Sequence, residues 1–131
     1  MANYNERVFA RITFIVAWAT FKREKVMTRA IDAHLQKFLA ESCNEHGILV
    51  SNIHVGSFFV YTKVQCPPKE APSKVIQLLK GTSSRLLRSN FPRLSEPPFT
   101  ESLWEKGYFI ATIGEFVKNE LREFLGLPLA P

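Results

Sequence analysis

Residues 7–20 carry apolar side chains at both odd and even positions, and this double pattern is the strongest constraint on the fold. The strand-forming residues are Val8, Phe9, Ile12, Thr13, Phe14, Ile15, Val16, Ala17 and Trp18. A strand with one solvated face alternates between apolar and polar residues, whereas a strand covered on both faces does not. The pattern therefore predicts a long strand in the centre of a sheet.

The rest of the chain divides into segments of changing period. Helical spacing predicts helices, and β-forming runs bounded by Gly and Pro predict strands. In chain order the segments are a helix at 28–45, strands at 48–54 and 58–65, a helix from Pro72 to the residue before Pro92, a loop at 93–105, a strand at 107–113 and a helix at 115–125. This order predicts an α+β, ferredoxin-like (split βαβ) antiparallel sheet with helices on one face and a C-terminal helix.

Composition bounds the class of protein. The 131 residues are 46% apolar and 22% charged, which predicts one globular domain over 1–131, with a core at 7–125 and a short tail at 127–131. The longest apolar stretch, 12–20, is far shorter than the roughly 20 residues of a transmembrane helix. We expect a soluble, cytoplasmic protein without a cofactor. Cys43 and Cys66 lack zinc-site spacing and predict buried, reduced thiols.

Positive charge is concentrated in two segments of a chain whose net charge is +5. Six basic residues against one acidic residue lie between 64 and 93, namely Lys69, Lys74, Lys80, Arg85, Arg88 and Arg93. The second cluster comprises Lys22, Arg23, Lys25 and Arg29. Such clusters favour binding to a polyanion if the fold gathers them on one face.

Three segments together resemble one family, the small HUH single-strand transposases, which are the tyrosine transposases of bacterial and archaeal insertion sequences. The segments are IVAWATFKR at 15–23, PPK at 67–69 followed by KVIQLLKGTSSRLL at 74–87, and LWEKGYFIATIG at 103–114. The third segment is the most specific. Their order and spacing match over most of the chain, from about residue 7 to residue 124.

The resemblance implies a metal site and a nucleophile at four positions. In that family a His-hydrophobic-His element on a central strand holds a divalent metal that polarises the scissile phosphate. A Tyr on the final helix attacks the phosphate, and a polar ligand lies one turn beyond it. The family spacing places the two His positions at Phe59 and Tyr61, the nucleophile at Phe124 and the last ligand at Pro128.

All four positions depart from the family pattern. Phe and Pro side chains offer no group that binds a metal, Tyr61 keeps only a phenol, and Phe124 lacks the attacking oxygen. Losses in separate segments predict that the phosphoryl-transfer chemistry has gone and that aromatic rings fill the vacated site. We predict neither a metal site nor a catalytic residue.

Other candidates for these roles are weaker. An alternative register places His54 and Gly56 at the paired positions, but it needs five extra residues before Pro67, and Gly56 is no ligand. Tyr108 falls within the family's fourth strand, which disfavours it as a substitute nucleophile. His34 and His46 are interpreted as surface or capping residues of the first helix.

The second helix is the predicted DNA contact. Lys74, Lys80, Arg85 and Arg88 fall on overlapping sides of an ideal helix, with Ser83 and Ser84 beside them. The resemblance implies that family members grip hairpin-forming, single-stranded DNA ends with this general region. Lys22 and Arg23 are predicted to add to the contact.

Three functional hypotheses remain open from the sequence. The preferred one is a catalytically decayed transposase-like protein that binds single-stranded or hairpin DNA, as a domesticated regulator or a relic. The first alternative is an active, divergent transposase that nicks and joins DNA. The second is a dimeric interaction module without nucleic acid. The resemblance also implies a homodimer, joined edge to edge through the strand at 58–65.

Overall fold

The computed structural model describes residues 12–67, 70–113 and 117–129. The strands are β1 (Ile12–Ala19), β2 (Leu49–Val55), β3 (Phe59–Cys66) and β4 (Phe109–Thr112), and the helices are α1 (Arg29–Asn44), α2 (Pro72–Asn90) and α3 (Val117–Leu125). Two short 3₁₀ turns, Phe21–Arg23 and Pro92–Ser95, follow β1 and α2. The predicted α+β order is confirmed. Residues 7–11 of the first predicted strand, Lys69 and residues 115–116 lie outside the described residues.

The four strands form one antiparallel sheet in the order β2-β3-β1-β4. β1 pairs with β3 along its whole length, and its residues from Phe14 to Ala17 also pair with β4. The central place predicted for the first strand is therefore confirmed. β3 is also internal, because β1 and β2 occupy both of its edges. Dimerisation by edge pairing through residues 58–65 is therefore wrong, since that strand has no open edge.

The sheet is covered on both faces, which explains the double apolar pattern of β1. Val16 and Trp18 point into the core formed with α1 and α2, whereas Ala17 and Ala19 point to the opposite face, where α3 packs. All four of these side chains are fully buried. Small residues on the second face leave room for the helix to approach the strand closely.

The ends of the first helix match the sequence pattern. The Thr28 hydroxyl accepts a hydrogen bond from the backbone N–H of Ile31, which caps the start of α1. After its end, Gly47 adopts a φ of 72°, the left-handed conformation that glycine tolerates best. The helix is therefore fixed at both ends by local chemistry.

Both cysteines are buried, as predicted. Burial raises the pKa of the Cys43 thiol to about 11, which keeps this group protonated at neutral pH. In the part of the chain that the structure describes, no helix is long and apolar enough to cross a membrane.

Candidate functional site

Three of the positions that the resemblance assigns to the metal ligands and the nucleophile meet on the face of the sheet covered by α3. Phe59 and Tyr61 extend from β3 and Phe124 from α3, and all three belong to one apolar cluster that also holds Leu121 and Leu125. Phe59 is only 6% exposed. Two residues of β3 thus meet a residue of α3 that is more than 60 positions away, as the resemblance implies. The three side chains form an apolar aromatic contact there.

A pocket of about 200 Å³ lies between β3 and α3 beside these residues. The sheet contributes His54, Phe59 and Tyr61 to its lining, and α3 with the chain just after it contributes Leu121, Arg122, Leu125 and Leu127. His54 stacks on Tyr61 with the ring centres 4.8 Å apart, and the rings of Phe59 and Tyr61 are within 8° of parallel. The alternative His54 therefore does reach the predicted site, as a stacking partner.

The donor atoms around this pocket do not fit a divalent metal. Phe59 has no lone pair, Tyr61 offers one phenol oxygen, and the carbonyl of Pro128 already accepts a hydrogen bond from Arg122 Nη1 at 2.9 Å. His54 is the single imidazole, and the described residues contain no group of three His, Cys, Asp or Glu side chains that could hold a metal. Mg²⁺ needs several oxygen ligands, and catalytic zinc needs about three protein ligands.

The turn between β2 and β3 is shaped around Phe59. A Cβ atom at Gly56 would overlap with two carbons of the Phe59 ring, so a larger residue at this position requires the ring to move. The backbone N–H of Gly56 also donates to the carbonyl of Phe59 at 2.9 Å. In the alternative register Gly56 takes the place of the second histidine, and the Phe59 ring fills the space that a side chain at 56 would need.

Arg23, a predicted DNA contact, instead joins α3 to the rest of the protein. Its guanidinium contacts both carboxylate oxygens of Glu105 at 3.3 Å and donates to the carbonyl of Phe124 at 3.3 Å. The same group lies over the rings of Phe58 and Phe124, 5.5 and 5.4 Å from their centres. The guanidinium of Arg23 therefore contacts a carboxylate, a backbone carbonyl and two aromatic rings of the protein itself.

We expect Arg23→Lys to lower the free energy of unfolding by about 1–2 kcal/mol, because an ammonium group cannot reproduce the paired contacts to Glu105 or the stacking. Urea denaturation followed by circular dichroism measures this change. The neighbouring Lys22→Ala is the control and should have almost no effect, since Lys22 is exposed and its ammonium lies over the adjacent Phe21 ring. Equal stability of Arg23→Lys and the unmodified protein would contradict the assigned role.

Two predicted contacts on α2 anchor the segment that follows the helix. Lys80 Nζ donates to the carbonyls of Glu105 and Gly107 at 2.9 and 3.1 Å. Burial lowers the pKa of Lys80, although the Glu105 carboxylate opposes this shift. Arg88 Nη2 donates to the carbonyls of Phe99 and Thr100 at 3.0 and 2.8 Å. The segment after α2 has little regular structure, and these two side chains supply hydrogen-bond donors to four of its backbone carbonyls.

Ser83, a predicted phosphate contact, is only 1% exposed, and this burial disfavours that role. Its hydroxyl donates to the carbonyl of Lys80 and accepts the indole N–H of Trp104, both at 3.1 Å. That indole is 4% exposed and packs edge-on against Trp18, with ring centres 5.8 Å apart. The family-like Leu103-Trp104 pair therefore has a structural role that reasoning from the sequence did not identify.

The remaining predicted contacts are accessible. Lys74, Arg85 and Lys22 are exposed, and Ser84 is half-buried. Lys74 and Arg85 are eleven residues apart on α2, which places them within roughly 20° of each other around the helix axis. The exposed face of α2 thus presents two positive charges on one side. Tyr108, by comparison, is 39% exposed.

Comparison with known proteins gives a consistent result. The model of the family described as "Transposase IS200 like" matches residues 9–125. The ISDra2 transposase TnpA of Deinococcus radiodurans is 22% identical over 115 residues, which is 88% of this chain and 82% of that protein. A transposase for the insertion sequence element IS200 of Salmonella typhimurium is 24% identical over 102 residues, covering 72% of this chain and 64% of that protein. A crystal structure of a candidate transposase from Deinococcus radiodurans R1 has a TM-score of 0.84 at 22% identity, covering 92% of each chain.

Proposed function

Because the chain belongs to the IS200-like transposase family, we propose that it is a DNA-binding member that neither cuts nor joins DNA. Its ligand is single-stranded or hairpin DNA. It acts as a catalytically decayed protein, either as a regulator or as a relic of the insertion element.

One observation carries this proposal. The positions of the metal ligands and the nucleophile converge in space, yet Phe59, Tyr61 and Phe124 pack there as part of an apolar cluster. A catalytic centre that has lost its chemistry but kept its position is what decay within an otherwise intact fold would leave. An unrelated fold would have no reason to bring these three positions together.

The accessible cations support the DNA-binding part of the proposal. Lys74 and Arg85 on α2 and Lys22 after β1 are exposed, so their charges can approach a phosphate. Lys80, Arg88 and Arg23 are engaged with protein partners and hold the scaffold instead. We therefore assign direct phosphate contact to the first group, with Ser84 beside it.

The double variant Lys74→Ala plus Arg85→Ala should weaken binding to every DNA sequence. Each neutralised phosphate contributes about 0.7–0.9 to the slope of log affinity against log salt, so we expect the slope to flatten by about 1 to 2. Fluorescence anisotropy over a salt series measures it, with a hairpin, an unstructured strand, a duplex and an RNA hairpin of matched length. Hairpin and single-stranded DNA should bind most tightly.

The charge-matched control is Lys37→Glu, which lowers the net charge by the same two units at an exposed position of α1 outside both basic clusters. Its effect should be clearly smaller than that of the α2 variant. Weak binding to all four nucleic acids, unchanged in the α2 variant, would refute DNA binding and favour an interaction module without nucleic acid.

We also propose that the protein forms a homodimer. The two edge strands of each protomer's sheet are β2 and β4. The pairing of β2 with β3 is interrupted between Ser51 and His54, where Asn52 adopts a φ of 51°. Such a bulge blunts an edge against pairing, so β4 is the better candidate. Light scattering should report twice the 15.0 kDa chain mass, and a stable monomer at micromolar concentration would overturn the dimer.

A further inference from the structure

We infer that the cleft beside Gly81 on α2 holds one backbone phosphate of the bound DNA, with Lys106 and Ser84 as its contacts. The inference rests on the proposed function and states where the strand crosses the protein. Its basis is a surface cleft of about 280 Å³, a glycine in the middle of a helix beside it, and cations from two separate segments.

The glycine at position 81 is not explained by the fold. Gly81 lies midway along α2, where the backbone is helical and requires no left-handed residue. Beyond its chain neighbours and the backbone of its own helix, a Cβ atom there would meet no heavy atom of the described residues within 4 Å. Alanine would therefore fit, and it would stabilise the helix. What glycine provides is an uncovered helix backbone that a ligand can approach closely.

The cleft lies beside this uncovered backbone. α2 lines one side of it with Lys80, Gly81 and Ser84, and residues between 102 and 106 of the segment after α2 line the other side. Gly81 and Lys106 are both exposed, so the cleft opens at the surface. It is therefore a groove between two parts of the chain that an extended strand can enter.

The charges in the cleft suit a phosphate. Lys106 is exposed, and Lys80 adds a second ammonium, two of whose three N–H groups donate to backbone carbonyls. Glu105 also lines the cleft, but its carboxylate is paired with Arg23 Nε at 3.3 Å. The Ser84 hydroxyl can donate to a phosphate oxygen. Lysines and hydroxyls are among the groups with which proteins contact the phosphates of DNA.

The cleft also lies between the two exposed cations of α2. Helical geometry places Gly81 within roughly 40° of both Lys74 and Arg85 around the helix axis, about 10 Å beyond the first and about 6 Å before the second. A strand that contacts both of these side chains therefore passes over Gly81. An uncharged ligand would use neither the cations nor this alignment.

The test pairs a blocking substitution with the removal of one charge. Gly81→Gln places an uncharged side chain in the cleft and should weaken binding of a DNA hairpin about 10-fold, the effect of one lost hydrogen bond to a charged group. Lys106→Ala should weaken binding by a similar factor and flatten the salt slope by about 0.7, the value for one phosphate of a single strand. The double variant should bind about as weakly as either single variant, because both changes act on the same phosphate. Fluorescence anisotropy over a salt series measures all three.

Ala40→Gln is the matched control for the blocking change and Lys37→Ala for the charge removal, because both positions are exposed on α1. Both controls should bind the hairpin almost as tightly as the unmodified protein. Urea denaturation separates blocking from misfolding, since Gly81→Gln should unfold at the same or a higher urea concentration than the unmodified protein. If Gly81→Gln is destabilised instead, Lys106→Ala decides the question.

The outcomes distinguish the inference from the proposed function. Tight hairpin binding that neither variant weakens overturns the inference while the proposed function stands, and so does an additive loss in the double variant. If no nucleic acid binds, both fail. Polyglutamate is the remaining probe: if it binds in place of nucleic acid and Gly81→Gln abolishes this binding, the cleft takes an acidic protein and both are overturned.

Discussion

Incubation with single-stranded or hairpin DNA and Mg²⁺ or Mn²⁺ is expected to yield no covalent protein–DNA adduct and no cleaved strand. Covalent capture needs a nucleophilic oxygen on the final helix, and Phe124 has none. It also needs an electrophilic phosphate, which the family polarises with a metal, whereas Phe59 supplies no ligand. Denaturing gels with end-labelled DNA measure both products.

Restoring the nucleophile by itself should not restore cleavage. The Phe124→Tyr variant still lacks a metal site, so we expect neither an adduct nor a cleaved strand, as for the unmodified chain. The smallest set of changes that rebuilds the family pattern is Phe59→His, Tyr61→His, Phe124→Tyr and Pro128→Gln. An adduct formed by the unmodified chain would refute the decay of the site, and Tyr61→Phe and Tyr108→Phe would then identify the attacking residue.

Trp104→Ala should produce the largest loss of stability, about 3–5 kcal/mol in the free energy of unfolding. The substitution empties the space beside Trp18 and removes the two hydrogen bonds from the indole to Lys80 and Ser83. It also disturbs the β-bridge between Trp104 and Thr20, which joins the segment after α2 to the end of β1. Urea denaturation measures the loss.

Two milder variants separate packing from hydrogen bonding at this position. Trp104→Phe keeps an aromatic ring against Trp18 but has no N–H, and Ser83→Ala keeps the indole but removes its side-chain acceptor. Each should cost less than Trp104→Ala, with Ser83→Ala near 1 kcal/mol because the indole retains the carbonyl of Lys80. A loss below 1 kcal/mol for Trp104→Ala would contradict the central role of this ring.

The fold was predictable because its strongest signals are local. The double apolar pattern of β1 reports burial on two faces, and the helix at 28–45 carries its own cap and terminating glycine. These features do not depend on what the distant parts of the chain do. The family resemblance supplied the rest, because it located the positions that converge beneath α3.

The roles of the charged residues were not predictable in the same way. A cation at a given helical angle has the same pattern whether it faces water or a returning segment of chain. Lys80 and Arg88 anchor residues 99–107 only because the irregular segment after α2 folds back over that helix. The pairing of β3 on both edges is likewise a property of sheet order, which hydrophobic periodicity does not specify.

The close fit between Gly56 and the Phe59 ring couples the residues that these two positions can accept. While phenylalanine occupies position 59, any side chain at 56 forces that ring to move. Histidine at 59 would in turn leave a void beside Gly56. The two positions are in contact, so their effects on stability should be non-additive. The residue accepted at position 59 therefore depends on the residue at position 56, and an exchange at one of them should be tolerated best when the other changes with it.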